Sequence, residues 1–289
     1  MISSFSKLHP TVLFLYFFMS VAAVMSFNNP VISALSLICA SACTVVLFGR
    51  QALGRLGFSV IIIAVVSTFN FLFAHYGNDV LFTLKNTDFT LEALFFGFNQ
   101  GMVISAALLW FTAMGKCVDS EKLVYLFRFA PKIALMLSMI LGFIPRFLKK
   151  QKEIREARLA LNGGEASKGV KGKMSAAVND LSALTNYALE GSIITANSMT
   201  ARGYNPRVIR GGRYRFKTDD FVFLFVSASL FAFVLVQKVI GNLSFVFEPD
   251  IYIKRLSVPA AVCFFVFGLM PVVTDLWRTF SWKRSRSAA

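Results

Sequence analysis

Histidine, cysteine and acidic residues are scarce in this 289-residue chain. It has two His, four Cys and 15 Asp or Glu, against 30 Lys or Arg. Cys39 and Cys43 share one apolar run, whereas Cys117 and Cys263 are isolated, so their spacing suits neither a disulfide framework nor a metal site. We therefore expect the cysteines to be buried and unpaired, as small hydrophobic residues.

The chain also lacks a recognisable catalytic set. His9 and His75 lie at the ends of different apolar runs, where an interfacial or packing role is expected. No combination of Ser, His and Asp, or of Cys and His, is indicated by the spacing. We expect a chain that catalyses no reaction itself and that holds no cofactor and no metal ion.

Hydrophobic residues, by contrast, are abundant. They make up 56% of the chain and include 32 Phe, which is more than a soluble domain of this length usually contains. Six apolar runs approach the roughly 20 residues that cross a bilayer as a helix. These runs are 11–27, 31–48, 57–76, 93–115, 221–237 and 258–276. The sequence predicts an all-α, polytopic membrane protein with about six transmembrane helices.

The charges between these runs predict the orientation in the membrane. Lys7 precedes the first run, Arg50 and Arg55 separate the second from the third, and the C-terminal tail is basic. The positive-inside rule therefore places both termini in the cytoplasm. A seventh run, 133–148, contains Pro145 and has basic residues on both flanks, so we expect it at the cytoplasmic surface. Whether it is embedded in the membrane stays open.

Half of the basic residues lie in one segment between the fourth and fifth predicted spans. Segment 146–217 holds 15 of the 30 Lys and Arg but only five acids, which places +10 of the net charge of +15 there. It has no nucleic-acid recognition motif and few aromatics, so anionic lipid at the cytoplasmic face is the expected partner and nucleic acid is not. We expect transmembrane helices 1–4 in 1–115, a cytoplasmic arm in 116–218, and helices 5 and 6 with a basic tail in 219–289.

Two helices are predicted within this segment, separated by the linker NGGEASKGVKGK. The first, 146–161, consists of strong helix formers, and the second, 174–202, has apolar residues at helical spacing. The second helix is narrow in its middle, at Ala188, Gly191, Ser192 and Ala196. Because small residues let helix backbones approach closely, we expect the two helices to cross there. The linker lacks the pattern of a phosphate-binding loop, so no nucleotide site is expected.

The stretch SMTARGYNPR ends the second helix. Gly203 can adopt the left-handed cap conformation and Pro206 cannot continue a helix, so the helix should end beside Arg202. In one interpretation, Arg202 only interacts with the negative end of the helix dipole. In another, its fork of five donors enters an acidic groove on a partner. The small neighbours Ala201 and Gly203 would then let the partner's backbone come close.

These residues resemble the transmembrane T component of energy-coupling factor (ECF) transporters, a family that includes the cobalt-transport permease type. Ala201-Arg202-Gly203, followed by Tyr204, is similar to the family's second Ala-Arg-Gly motif. The stretch GFIPRF at 142–147 is similar to the segment that leads into the family's first coupling helix. The resemblance implies an arm of two crossed coupling helices, whose tip arginines dock into two ABC-type ATPase subunits. It also implies a separate substrate-binding S component in the membrane.

The first motif departs from the family's pattern. Counted from Pro145, its three positions fall on 160–162, which include no arginine. The nearest is Arg158, almost a turn earlier on the helix. Either Arg158 takes the motif's place, or this tip docks by shape and through Leu159 and Leu161. A degenerate first tip favours two non-identical ATPase partners. The candidate ATPase-coupling residues are Ala157, Arg158, Leu159, Ala160, Leu161, Ala201, Arg202 and Gly203.

The resemblance thus implies a non-catalytic scaffold subunit of an ATP-driven importer in a bacterial or archaeal cell membrane. In this family the S component determines the substrate, so a vitamin and a transition-metal ion stay equally open. The alternative is a secondary transporter or pore-forming permease with its own substrate path. A proton-coupled carrier should place acids within its spans, where Asp275 is the only marginal case.

Overall fold

The computed structural model describes residues 5, 8–73, 80–84, 87–161, 169–204, 214, 216–241, 245–246, 252–253 and 257–287. Nine α-helices occur within these residues: α1 (Pro10–Ser26), α2 (Pro30–Phe48), α3 (Ala52–Phe73), α4 (Leu91–Cys117), α5 (Ser120–Leu126), α6 (Pro131–Leu161), α7 (Gly169–Ala201), α8 (Thr218–Val239) and α9 (Val258–Ser287). Short antiparallel hairpins connect α3 to α4, through β1 (Val80–Leu84) and β2 (Thr87–Thr90), and α8 to α9, through β3 (Phe245–Val246) and β4 (Tyr252–Ile253). The fold class is all-α, as predicted.

Five helical stretches in the described part of the chain are long and apolar enough to cross a membrane. They are Pro30–Phe73, Leu91–Cys117, Pro131–Leu161, Thr218–Val239 and Val258–Trp277. The first has 44 residues and contains both α2 and α3. A straight helix of that length would measure about 66 Å, twice the bilayer core. Gly49, with a φ of 56°, divides it into two helices of spanning length. The chain is therefore a polytopic membrane protein.

The six predicted spans correspond to α1, α2, α3, α4, α8 and α9. Helix α1 is apolar but has 17 residues, slightly below the usual spanning length. Helices α1 and α2 both begin with a proline, whose fixed φ suits the first helical position. At the start of α2, the Asn29 Oδ1 accepts a hydrogen bond from the Val31 amide at 3.0 Å. Local sequence signals thus define these helix starts.

The chain forms two compact units, which we describe separately. The bundle unit comprises Met1–Asp119 and Tyr214–Ala289, and the insert unit comprises Ser120–Arg213. The bundle unit has an aromatic core in which the Tyr16 hydroxyl donates to the carbonyl of Phe267 at 2.9 Å. The indole of Trp110 donates to the Ser36 hydroxyl at 3.2 Å. Both buried polar groups therefore have a partner within the helix bundle.

Helices α3 and α4 approach each other at a line of small residues. A Cβ atom at Gly101 would lie 3.0 Å from the Cα of Ile63, and one at Gly97 would lie 3.1 Å from another α3 Cα. One turn further, the hydroxyls of Ser59 and Ser105 are 2.6 Å apart. Only residues without a bulky side chain fit at these α4 positions. The pattern of small residues four apart along α4 was visible in the sequence, but we did not recognise it there.

The crossing predicted at the narrow middle of α7 is wrong. A Cβ atom at Gly191 would meet no atom within 4 Å, so among the described residues no helix backbone packs against α7 at this position. The contacts between α6 and α7 involve Asp180 and Tyr187 instead, on the N-terminal side of the narrow segment. Small residues permit close approach but do not require it, and side-chain partners elsewhere on α7 determine the contact.

Contacts at one end of the bundle unit establish the direction of several of its helices. At one end, the amide of His9 donates to the Asp220 Oδ1 at 3.0 Å, and the amide of Phe5 donates to the Asp275 Oδ1 at 3.2 Å. Phe5 also lies beside the last residues of α2. Helices α1 and α8 therefore begin at the end where α2 terminates. We call this end the N-terminal end of the bundle.

Candidate functional site

Helix α7 ends in a Schellman motif at the predicted residues. The amide of Tyr204 donates to the carbonyl of Met199 at 3.0 Å, and that of Gly203 donates to the carbonyl of Thr200 at 3.0 Å. Gly203 has a φ of 65°, a left-handed conformation that favours glycine. These bonds satisfy carbonyls that the last helical turn would otherwise leave unpaired. The predicted helix end is confirmed, with Arg202 as the residue that caps it.

Arg202 is exposed at this tip. Its amide donates to the carbonyl of Ser198 at 3.1 Å, which holds its backbone in the last turn. Its guanidinium forms no ion pair within the described residues. The side chain therefore presents its donors at the negative end of the helix dipole, where a cation is favourable.

The surroundings of Arg202 leave room for a partner. Ala201, Gly203 and Tyr204 are all exposed, and a Cβ atom at Gly203 would meet no atom within 4 Å. The backbone at the tip is nevertheless fixed by its cap hydrogen bonds. A rigid, sterically open tip with one cation suits insertion into a groove that contains a carboxylate. Pro206, also predicted to limit this helix, lies outside the described residues.

Arg158, the alternative motif arginine, has a different environment. Its Nε and Nη2 donate to the two carboxylate oxygens of Asp180 at 2.7 and 2.9 Å. The side chains of Arg158 and Asp180 are 22% and 13% exposed, and the hydrogen bond raises the pKa of Arg158. This bidentate pair joins the last turns of α6 to the first half of α7. The structure thus already provides Arg158 with a carboxylate partner within the insert unit.

The other candidate residues at the end of α6 differ in exposure. Leu161 is exposed at the last position of the helix, as are Ala157 and Ala160. Leu159 is half-buried, beside Arg158. The tip of α6 therefore presents small and apolar side chains, whereas the tip of α7 presents a cation. The linker between the tip of α6 and the start of α7 lies largely outside the described residues.

Aromatic contacts support the ion pair between α6 and α7. The rings of Phe147 and Tyr187 pack edge to face with centroids 6.4 Å apart. The ammonium of Lys150 lies 5.3 Å from the centroid of Tyr187. An open groove next to these contacts contains Arg155 and Lys173 besides the ion pair. The insert unit is thus held by a few specific contacts around a basic groove.

No cluster of His, Cys, Asp and Glu suitable for a metal ion occurs among the described residues. The four cysteines form no disulfide bond, and three of them are buried, as predicted. His9 caps α1 and stacks on the ring of Phe216 at 3.7 Å, a packing role as expected, whereas His75 lies outside the described residues.

No protein-family model matches the chain, and no curated protein is significantly similar to it. The fold alone defines the class, an all-α polytopic membrane protein.

Proposed function

We propose that this chain is the non-catalytic membrane scaffold of an ATP-driven importer similar to the ECF transporters. In this proposal, two ABC-type ATPases hydrolyse ATP and the chain transmits their motion to a separate substrate-binding membrane protein. The single observation that carries the proposal is the exposed arginine on the capped tip of α7. Helix α7 has 33 residues and is therefore about 50 Å long, long enough to transmit a displacement over most of a domain.

The docking role falls on Arg202 rather than on Arg158. Arg202 lies 22 residues beyond Asp180 on the same helix, which places it about 33 Å from the ion pair with Arg158. Arg158 instead supports the arm, because its bidentate pair fixes α6 against α7. The tip of α6 then docks through shape and through Leu161. One charged and one apolar tip fit two non-identical ATPases better than two identical ones.

The direction of the helices supports a surface location for the apolar part of α6. The ring of Phe48, the last residue of α2, contacts Lys116 near the end of α4. Helix α4 therefore ends where α8 begins, at the N-terminal end of the bundle. The chain between them crosses the membrane an even number of times or not at all. Among the described residues of that segment, only helix α6 has the composition of a span, and a single crossing would not fit this even number. We therefore place α6 along the cytoplasmic membrane surface.

Two acids at the N-terminal end of the bundle support a scaffold over a proton-coupled carrier. Asp220 and Asp275 each accept a hydrogen bond from a backbone amide of the N-terminal segment. These carboxylates therefore have a packing role at a bundle end, and not the mid-membrane position of a proton relay. Substrate selection belongs to the S component, and the substrate is a vitamin or a transition-metal ion.

The experiment compares wild type with Arg202→Ala, Arg202→Lys, Arg158→Ala and the double alanine variant in one membrane preparation. Copurified ABC ATPase and coupled substrate uptake are measured for each variant. If Arg202 enters an acidic groove, its removal leaves a buried carboxylate unpaired, a loss on the order of 2–5 kcal/mol. Assembly should then weaken by roughly 30-fold or more. Arg202→Lys should rescue only partly, because an ammonium lacks the guanidinium fork.

The controls separate docking from helix capping. If Arg202 only interacts with the dipole, its removal should cost under about 1 kcal/mol and leave assembly near wild type. That result, or tight ATP binding by the isolated chain, would refute the scaffold proposal. A single cysteine at Ser167, in a background without other cysteines, should react only with reagents on the cytoplasmic side. Reaction from outside intact cells would refute the proposed topology.

A further inference from the structure

Two cations share one aromatic ring at the N-terminal end of the bundle. The guanidinium carbon of Arg55, in the first turn of α3, lies 3.4 Å from the ring centroid of Phe48. The ammonium of Lys116, in the last turn of α4, lies 5.8 Å from the same centroid. Both distances are those of cation–π contacts. The ring therefore brings together two positive charges from helices that are far apart in sequence.

Neither charge is neutralised within the described part of the chain. No ion pair there includes Arg55 or Lys116, although Asp119 and Glu121 follow Lys116 closely in sequence. The Nη1 atom of Arg55 is buried and has no hydrogen-bond partner among the residues that the structure describes. Burying a donor without a partner is unfavourable, and a charged donor more so. The site therefore has the properties of an anion site that is completed by a group from outside the chain.

An apolar surface begins one turn away from Arg55 and continues along α3. Three apolar residues lie three, ten and fourteen positions after Arg55, which places them on one side of the helix: Phe58, Val65 and Phe69. All three side chains are exposed in the bundle unit. A cationic site above an apolar helix face matches the phosphate and acyl chains of a phospholipid. Free phosphate would use only the cationic part.

We propose that Arg55 and Lys116 bind the phosphate of an anionic membrane phospholipid, whose acyl chains lie along the exposed face of α3. The ring of Phe48 holds the half-buried Arg55 guanidinium in place. A phosphate that binds it together with the exposed Lys116 ammonium would gain charge-assisted hydrogen bonds. The site lies in the bundle unit and is independent of the proposed coupling role of Arg202. It also differs from general attraction to the basic insert, because it depends on particular side chains.

The test is native mass spectrometry of the purified full-length protein, titrated with phosphatidylglycerol or phosphatidylcholine. Wild type should bind the first phosphatidylglycerol roughly tenfold or more tightly than phosphatidylcholine, as expected for charge-assisted hydrogen bonds. Arg55→Ala and Lys116→Ala should each reduce this preference, and the double variant should abolish it. Phe48→Leu retains both charges but removes the ring face, so it should weaken the preference partly.

Arg50→Ala is the matched control, because it removes one positive charge from the short turn between α2 and α3, and the cation–π contacts to Phe48 among the described residues come from Arg55 and Lys116. It should retain most of the preference. An equal loss in Arg50→Ala and Arg55→Ala would overturn the site in favour of non-specific attraction. Displacement of the lipid by millimolar inorganic phosphate would overturn the assignment to a lipid. A thermal unfolding curve for each variant ensures that only folded protein is compared, and Arg55→Lys, which keeps the charge, should retain part of the preference.

Discussion

Two helix pairs of this chain are held together in different ways. Helices α3 and α4 pack through small residues, with the backbone at Gly101 close to that of Ile63 and with a buried hydrogen bond between Ser59 and Ser105. Helices α6 and α7 are joined by the ion pair between Arg158 and Asp180 and by aromatic contacts at Tyr187, and most of their remaining surface is exposed.

This difference distinguishes a fixed contact from an adjustable one. Close backbone packing depends on shape along the whole interface, so a small displacement creates voids or overlaps. An ion pair with long side chains retains its attraction over small displacements and can re-form after separation. The contact between α3 and α4 is therefore sensitive to small displacements, whereas the contact between α6 and α7 depends on a few particular side chains.

The largest expected effect is that of a bulky residue between α3 and α4. Gly101→Leu should destabilise the bundle unit by about 3 kcal/mol, because the new side chain meets the α3 backbone and cannot be accommodated by a rotamer change. Gly115→Leu is the matched control on the same helix, since a Cβ atom there would meet no atom within 4 Å. Thermal unfolding of the purified proteins in detergent measures both. Equal stability of the two variants would show that α3 and α4 are not closely packed.

A smaller effect is expected from loss of the ion pair in the insert unit. Arg158→Ala should broaden the distance distribution between spin labels at Gln151 on α6 and Ala177 on α7, while the helices themselves stay folded. The exchange Arg158→Asp with Asp180→Arg should restore a narrow distribution, because the attraction is kept. Pulsed electron–electron double resonance measures the distances between the two spin labels.

The control for this prediction uses an exposed ion pair on the same helix. Lys152 and Glu156 are 3.8 Å apart and both side chains are largely exposed, so Lys152→Ala should leave the distances unchanged. If Arg158→Ala and Lys152→Ala gave the same distribution as wild type, the ion pair would not be what holds α6 to α7.

The smallest expected effect is a pH dependence at the start of α1. Burial lowers the pKa of His9, against the opposing influence of Asp220. The Nδ1 atom of neutral His9 accepts a hydrogen bond from the Thr11 amide at 3.3 Å and thereby caps the helix. Because the folded pKa lies below the ordinary 6.5, this contribution is complete above pH 6.5 and is lost as the pH falls through the lowered value.

The expected loss at low pH is limited to about 1 kcal/mol, the usual worth of a helix N-cap. Unfolding midpoints between pH 7.5 and pH 5 measure it. His9→Asn keeps a side-chain acceptor that does not titrate in this range, so the difference between this variant and wild type isolates the imidazole. If the unfolding midpoint of His9→Asn depended on pH in the same way as that of wild type, the effect would belong to other titrating groups.

Signals that act over one or two helical turns could be predicted from the sequence. Long apolar runs predicted the helices of the bundle unit, but α3 begins at Ala52 and not at residue 57, and α9 continues to Ser287 and not only to residue 276. Gly203 correctly marked the end of α7. The start of α7 was less accurate, since the helix begins at Gly169 and not at residue 174. The narrow segment around Gly191 was wrongly predicted to be the crossing point of α6 and α7, because small side chains alone do not determine which helix packs against them.

The amino-acid sequence by itself determined that this chain is helical and membrane-spanning, because burial in a bilayer and helix capping depend on residues close together in the chain. Only the tertiary structure decided which arginine is paired. Arg158 is joined to Asp180 across 22 positions, Arg55 meets Lys116 at the ring of Phe48, and Arg202 stays exposed. Such pairings depend on how helices distant in sequence are brought together, and the composition of each helix leaves many of these arrangements equally possible.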